Sequence, residues 1–358
     1  MRIMVWYSID VINAAVKRTK KILLEPFDFW KWIKLGIIIL FIGGGFGSTG
    51  SNFDPGAFNR PSQDRSLEGP STGEIINQII QFWHQYQTYI LIGVAILIFI
   101  ILIFGLISSI MQFVFVESVV TNKVMIIDYF KKYMRPGFNL FIIQTILGLF
   151  FLSLFILAML PVVQSILASP ETISFGSILG NIFWFFIVII VLAIISGMIE
   201  SLISLSIPLV IYEQSGLIEA IKKVFGRAGA DWKQIVVYWV MRSVLWIAAG
   251  IIVGIIAILI FILLFIVIFI MGVILYLILS MLGIGTGDIG FWAVMIPFGI
   301  IALIPLIVLM LLASVPAPVF MKSHMLLFLR FWYPDVKIPL FESKESTEVS
   351  GNFTEHEP

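Results

Sequence analysis

Residues 235–282 form an apolar stretch of 48 residues whose one charged side chain is Arg242. A continuous helix of that length would measure about 72 Å at 1.5 Å per residue, whereas the hydrocarbon core of a bilayer is about 30 Å thick. The core of a soluble protein has no need for so long an apolar stretch. The stretch therefore predicts a membrane-spanning helix that protrudes, kinks or turns back.

The rest of the chain has the same character. Hydrophobic residues make up 60% of the 358 residues and charged residues 12%, whereas soluble proteins are about 45–50% apolar and about 25% charged. This composition excludes a soluble globular protein and predicts an all-α, polytopic helical membrane protein with a single integral membrane domain over 1–340. Together with 235–282, apolar stretches predict about six transmembrane helices, the others at 29–47, 89–116, 138–166, 182–211 and 291–315.

Two polar segments contrast with these stretches. Residues 48–88 are rich in Gly, Pro, Ser and Asn and predict an extracytoplasmic loop with a short amphipathic piece at 75–86. Residues 341–358 are acidic and lack apolar periodicity, which predicts a disordered cytoplasmic tail.

The distribution of basic residues predicts the orientation. If 235–282 crosses the membrane once, one side of the membrane holds 20 of the 22 Lys and Arg residues, in segments 1–34, 117–137, 212–242 and 317–358. Under the positive-inside rule, both termini of this cell-membrane protein are then cytoplasmic.

Seven spans are the alternative. Two crossings within 235–282 would put Lys322, Arg330 and Lys337 outside, against the rule, and no proline or polar turn cluster in the stretch marks a reversal. Six spans are therefore the main expectation.

Three of the predicted cytoplasmic segments look alike. INAAVKR at 12–18, IIDYFKK at 126–132 and IEAIKK at 218–223 each end in a basic pair, followed by a Pro or Gly and by an aromatic residue that opens the next apolar stretch. This pattern predicts three two-helix repeats with amphipathic cytoplasmic elbow helices. Alternatively, the interface preferences of basic and aromatic residues alone would produce such linkers.

The basic residues of these segments are candidates for binding anionic lipid headgroups, since each Lys or Arg near an anionic leaflet contributes about 1 kcal/mol. The amphipathic segment 8–24 is expected to lie on the membrane surface. The candidate headgroup contacts are Lys17, Arg18, Lys20, Lys21, Lys131, Lys132, Lys222 and Lys223.

A resemblance accompanies the third of these segments. The run PLVIYEQSGLIEAIKKVF at 208–225 has a proline near the end of an apolar stretch, then Glu213, then a basic amphipathic segment with Ala220. It resembles a broad group of prokaryotic membrane proteins that includes the YciC-like proteins and the membrane domain fused to glycerophosphoryl diester phosphodiesterases. The start MVWYSIDVINAAVKRTKK resembles archaeal members. The resemblance covers residues 1 to about 335. It implies a six-helix membrane module without hydrolase activity, because the sequence holds no soluble phosphodiesterase domain.

Ionisable residues inside the apolar stretches are the best candidates for an intramembrane site, since a charge there costs about 2.5–3.5 kcal/mol. Glu200 and Arg242 fall at similar predicted depths on adjacent helices, so they form either a structural pair that locks two helices or part of a polar cavity. The polar residues that could contribute to either are Gln112, Gln144 and Asn181.

Other chemistry finds little support in the sequence. Cysteine is absent, the three histidines fall in separate segments, and the net charge is +1. We therefore expect no metal, no cofactor and no nucleic-acid partner. No nucleophile, acid and base converge, so we expect a non-enzymatic, lipid-interacting scaffold or regulatory module with membrane lipids as partners. The alternatives are a small-solute or lipid transporter with a polar site near Glu200 and Arg242 and, third, a membrane-embedded enzyme.

Overall fold

The computed structural model describes residues 6–43, 72–168 and 175–340, and the regular elements within these ranges are eleven α-helices. The predicted tail, 341–358, and most of the predicted loop lie outside the described residues. The helices are α1 (Tyr7–Asp10), α2 (Ile12–Leu24), α3 (Phe29–Ile42), α4 (Thr72–Thr121), α5 (Ile126–Lys132), α6 (Met134–Ala168), α7 (Phe175–Tyr212), α8 (Leu217–Ala230), α9 (Trp232–Met281), α10 (Ile289–Ala313) and α11 (Pro316–Trp332).

Within the described residues, five helical stretches are long and apolar enough to cross a membrane, so the chain is a multi-pass helical membrane protein. The predicted first span, 29–47, is described only as α3, whose 14 residues would measure about 21 Å. A sixth span remains a prediction. The five stretches are Gln81–Thr121, Met134–Gln164, Leu179–Tyr212, Trp232–Met281 and Ile289–Trp332.

The two longest helices, α4 and α9, are longer than a single membrane span requires. Helix α9 runs unbroken for 50 residues, so the apolar stretch 235–282 does not turn back. Helix α4 also has 50 residues and begins at Thr72, so the amphipathic piece predicted at 75–86 is the first part of this long helix. Once a helix has formed, each added residue gains a backbone hydrogen bond, and α4 therefore extends beyond its apolar part into Gln, His and Tyr residues.

Buried side chains concentrate at one end of the helix bundle. The last turns of α4 and α7 meet the first turns of α6 and α9 there, with α5 and α8 as the connections. Helix α11 lies at the centre and packs against α2, α4, α7 and α9. Because α2, α5 and α8 carry the paired lysines, we call this region the basic end. Its largest fully buried side chains include Trp332, Tyr238, Phe113 and Phe328.

Away from the basic end, the helices expose their apolar side chains. Ile247, Leu263 and Phe269 on α9 are each more than 60% exposed, and α4, α6, α7 and α10 show the same pattern. Surfaces this large and apolar need a non-aqueous environment. The helices also pair their own backbone groups, as hydrocarbon requires. The parts of these helices that lie away from the basic end therefore face lipid.

The N-terminal amphipathic segment docks on protein. The apolar stripe of α2 includes Ala15, Ile22 and Leu23, and Val11 precedes it; all four are at most 4% exposed. This face packs against α11. Ile9, Val16 and Leu24 stay 45–52% exposed, so the expectation that 8–24 lies on the membrane surface remains a prediction for these side chains.

Close contact between α4 and α6 depends on Gly137, which belongs to no sequence motif for helix packing. A Cβ at Gly137 on α6 would lie 2.6 Å from Ile110 Cγ1 and 2.8 Å from Ile110 Cα on α4. By contrast, Gly250 and Gly254 have the small-xxx-small spacing typical of close packing, but nothing lies within 4 Å of a Cβ at either position. The tight α4–α6 crossing therefore requires the missing side chain of Gly137.

Gly137→Ala is expected to lower the free energy of unfolding by about 1–3 kcal/mol, because the added methyl group overpacks the contact with Ile110. Thermal unfolding in detergent micelles measures the change. Gly148→Ala on the same helix is the control, since nothing lies within 4 Å of its Cβ. That variant should be as stable as the wild type or slightly more stable, because Ala is the better helix former. Equal losses in the two variants would contradict the close approach at Gly137.

Candidate functional site

The two intramembrane ions predicted from the sequence do not meet. Glu200 is exposed on α7, immediately before the buried run that begins at Ser201. Arg242 is half-buried on α9, where its Nη1 donates to the Tyr238 hydroxyl at 2.8 Å. No ion pair joins Glu200 and Arg242, both of which the structure describes. The expected pair fails because Glu200 faces away from the core in which Arg242 lies.

The predicted polar neighbours are divided between helices. Gln144 on α6 accepts a hydrogen bond from Ser109 Oγ on α4 at 2.8 Å, which ties these two helices together. Gln112 on α4 and Asn181 on α7 are half-buried. Gln144 therefore has a packing role, and it does not join Glu200 and Arg242 in one cavity.

Arg242 instead shares the core with Lys322, a residue that the sequence analysis did not select. Lys322 Nζ on α11 donates to Ser204 Oγ on α7 at 3.3 Å and lies 5.9 Å from the centre of the Phe115 ring on α4. Arg242 reaches the same region from α9, where its hydrogen-bond partner Tyr238 stacks on Phe328 of α11 at 4.4 Å between ring centres. Two cations thus lie together among helices α4, α7, α9 and α11. We call Lys322, Arg242 and Ser204 the inner basic cluster.

A stack of rings holds Arg242 in place. Its partner Tyr238 stacks on Phe328 of α11 at 4.4 Å between ring centres and on His324 at 6.1 Å. His324 in turn donates from Nε2 to the Ser8 carbonyl oxygen of α1 at 2.8 Å. The N-terminal helix therefore fixes His324, His324 and Phe328 fix Tyr238, and Tyr238 orients the guanidinium of Arg242.

A buried acid, Glu117, provides a second polar centre at the basic end. Its Oε2 accepts from the Tyr212 hydroxyl of α7 at 2.8 Å, and its Oε1 pairs with Lys132 Nζ of α5 at 3.2 Å. Glu117 is buried on α4, and both carboxylate oxygens have partners. One carboxylate thus connects α4, α5 and α7.

In each lysine pair of α5 and α8, one lysine forms an ion pair with a described residue and the other does not. The second lysine of each pair binds an acid from the end of the preceding long helix or just after it: Lys132 binds Glu117, and Lys223 binds Glu213 at 3.1 Å. Hydrogen bonds to Glu213 and then to Glu219 raise the pKa of Lys223. The first lysine of each pair is exposed and forms no ion pair with a described residue; these are Lys131 and Lys222.

Arg18 differs from the other predicted headgroup contacts. It is only 8% exposed, and its Nη2 donates to the carbonyl oxygens of Val119 at 3.0 Å and Val120 at 3.4 Å, in the last turn of α4. Burial, reinforced by Arg330, lowers the pKa of Arg18 to about 10, which still leaves it charged at neutral pH. The prediction that Arg18 contacts a lipid headgroup is wrong. Arg18 instead caps α4, because the last carbonyls of a helix lack partners of their own.

The remaining basic residues of α2 stay near the surface. Lys17 and Lys20 are exposed, Lys21 is half-buried, and Lys20 pairs with Glu25 at 3.3 Å. Within the described ranges, no three His, Asp or Glu side chains lie close enough together to hold a metal ion.

The sequence analysis did not select Glu117 and Lys322, although the sequence around each of them is distinctive. Glu117 interrupts the apolar run FVFVESVV, and Lys322 lies between the prolines at 316 and 318 and the apolar run MLLFLRFW. Both were assigned to cytoplasmic segments because they fall near predicted span ends. Helix α11 then brings Lys322 beside α4 and α7, where it is half-buried, and no local pattern indicates this position.

Tyr212→Phe is expected to lower the free energy of unfolding by about 1.5–3 kcal/mol, because it removes a hydrogen bond to a buried charged group. In a Glu117→Gln background the same substitution should cost less, since the charged acceptor is gone. Thermal unfolding of the two single variants and the double variant measures this coupling.

Tyr276→Phe is the control for that cycle, because Tyr276 is exposed on α9 and donates no hydrogen bond to a described residue. It should leave the midpoint of unfolding unchanged. Strictly additive effects of Tyr212→Phe and Glu117→Gln would show that the hydroxyl and the carboxylate do not interact.

Comparisons with known proteins place this arrangement in a family. No curated protein and no solved structure matches the chain. Residues 6–338, which contain the inner basic cluster, Glu117 and both lysine pairs, match a family of unknown function, DUF7544. Since the match extends over nearly all of the 358 residues, the chain belongs to the DUF7544 family.

Proposed function

We propose that this chain is a non-enzymatic protein of the cell membrane whose basic end faces the cytoplasm and binds anionic phospholipids, as a lipid-interacting scaffold or regulatory module. The observation that carries the proposal is the division of the lysine pairs. Lys132 and Lys223 are engaged in ion pairs, while Lys131 and Lys222 are exposed beside them without an acidic partner among the described residues. Exposed cations at the edge of an apolar surface suit anionic headgroups.

A groove beside Lys222 supports the same ligand. It has a volume of about 660 Å³ and lies between α6 and α8. Its walls are mainly apolar, and Lys222 and Asn139 supply the polar groups; Glu219 also lines it but is paired with Lys223 at 3.1 Å. A phospholipid fits this chemistry, with an acyl chain along the apolar wall and the phosphate at Lys222. The apolar lining is formed by Ile142, Ile143, Leu217 and Ile218.

We also propose that the protein consists of three units, each a short basic helix followed by two spans. The order of elements supports this division: α2, α5 and α8 each precede a helix that opens on an apolar segment. Two junctions share an unusual backbone geometry, since Asn122 before α5 and Gln214 before α8 have φ of 59° and 54°. A left-handed residue at both junctions supports a repeated turn from span to elbow helix.

Transport through a polar site at Glu200 and Arg242 has less support. Glu200 is exposed, and Arg242 is directed to Tyr238 on its own helix. An enzyme has less support still, since Ser204 accepts a hydrogen bond from Lys322 Nζ at 3.3 Å and donates its own to Met325 Sδ at 3.5 Å.

Lys131→Glu with Lys222→Glu is expected to weaken binding of phosphatidylglycerol by about fivefold or more, since each lysine near an anionic lipid contributes about 1 kcal/mol. Native mass spectrometry of the full chain, titrated with phosphatidylglycerol in detergent, measures the bound lipid. Binding of phosphatidylcholine should not change.

The matched control is Lys131→Arg with Lys222→Arg, which keeps both charges. This variant should bind phosphatidylglycerol as the wild type does. The proposal fails if charge reversal leaves phosphatidylglycerol binding intact while the variant remains folded.

The orientation can be tested directly because the sequence contains no cysteine. Thr286 is exposed between α9 and α10, at the opposite end of α9 from the basic end. In intact cells, a membrane-impermeant maleimide should label Thr286→Cys and should label Lys131→Cys only after the membrane is permeabilised. The reverse pattern would place the basic end outside.

A further inference from the structure

The inner basic cluster holds two positive charges that no acid compensates. Lys322 lies among Phe115, Ser204 and Met325, and its ammonium has only a hydroxyl and a thioether as partners, at 3.3 and 3.9 Å. Arg242 has only the Tyr238 hydroxyl, at 2.8 Å. Neither cation lies within 4.0 Å of a carboxylate in the described part of the chain.

This arrangement contrasts with three other polar centres of the basic end. Glu117 has a lysine and a tyrosine, Lys223 has two glutamates, and Arg18 has two helix carbonyls. Charges removed from water persist when they are paired. Lys322 and Arg242 are half-buried and have no carboxylate partner among the described residues, and this favours a counter-charge from outside the chain.

Hydroxyl groups complete the chemistry of the cluster. Ser204 Oγ is already within hydrogen-bonding distance of Lys322 Nζ. Ser201 lies one helical turn earlier on the same face of α7, is buried, and its Oγ has no partner in the described structure. Two cations with adjacent serine hydroxyls are the donor set that proteins use for phosphate.

We propose that the inner basic cluster binds one phosphate group, with Lys322 and Arg242 as the charged ligands and the serines of α7 as hydrogen-bond donors. Charge balance selects this ligand. A phosphate monoester or inorganic phosphate carries about −1.5 to −2 at neutral pH and neutralises both cations, whereas a carboxylate would leave one charge uncompensated. The phosphate belongs either to a free anion or to a phosphomonoester lipid such as phosphatidic acid.

The site is distinct from the surface lysines of the proposed lipid-binding function. Ser204 lies eight residues before the end of α7 and Arg242 ten residues after the start of α9, so the cluster is about 12–15 Å inside the basic end at 1.5 Å per residue. Charge reversal at Lys131 and Lys222 therefore tests the surface alone. Failure of either proposal leaves the other intact.

The test is a titration of the delipidated full chain in detergent with inorganic phosphate, at constant ionic strength maintained with chloride. The midpoint of thermal unfolding should rise saturably for the wild type, because a ligand that binds the folded state stabilises it. Lys322→Met and Arg242→Gln should each weaken the apparent affinity about tenfold or more. Lys131→Met, at the surface, should respond as the wild type does.

The unfolding temperature without phosphate distinguishes loss of phosphate binding from loss of folding. Without phosphate, Lys322→Met should unfold at the same temperature as the wild type or higher, since it removes an uncompensated charge and keeps the apolar stem. The proposal is overturned if wild-type protein shows no saturable response to either phosphate source. It is also overturned if both Lys322→Met and Arg242→Gln respond like the wild type.

The second arm identifies the source of the phosphate. Native mass spectrometry after extraction from nanodiscs that contain phosphatidic acid in phosphatidylcholine measures the retained lipid. Retention of phosphatidic acid that depends on Lys322, without a response to inorganic phosphate, assigns the site to a lipid headgroup. A response to inorganic phosphate alone assigns it to a small phosphate anion.

Discussion

The packing of α11 at the centre of the basic end is the interaction on which the rest of the structure depends. Helix α11 follows the last long apolar helix, yet nearly all of its middle turns are buried, from Ser323 to Leu329. It contacts α2 near the other end of the chain, where the N-terminal helix meets His324. Burial of this apolar helix gains roughly 25 cal/mol per Å² of apolar surface. That packing forms the buried core at one end of the bundle. The parts of the long helices away from this end expose their apolar side chains to lipid.

Once α11 lies in the core, the charges around it must be accommodated, and the protein does so in different ways. Arg18 is held by the carbonyls that end α4. Glu117 is held by a tyrosine and a lysine from two neighbouring helices. Both arrangements convert a buried charge into a connection between elements, as buried ions require. Lys322 and Arg242 are half-buried without a carboxylate partner among the described residues, and this makes them candidates for an external ligand.

The basic residues thus serve two roles that their sequence context does not separate. In each of the pairs on α5 and α8, one lysine closes an ion pair within the protein and the other points outward. Adjacent residues on a helix differ by about 100° in direction, so the two lysines of a pair leave the helix in different directions. The same geometry puts Arg18 in the core and its neighbour Lys17 at the surface.

The amino-acid sequence by itself determined the membrane class and the positions of the long helices, because an apolar stretch in hydrocarbon must pair its own backbone and a helix is the local way to do so. It did not determine which ions meet. Glu200 and Arg242 have matching predicted depths, but only the rotation of each helix about its axis decides that Glu200 faces outward and that Arg242 meets Tyr238. Only the tertiary structure buried Glu117 and brought Lys322 beside Ser204 and Phe115, since these positions follow from contacts between residues up to some 200 positions apart in the chain.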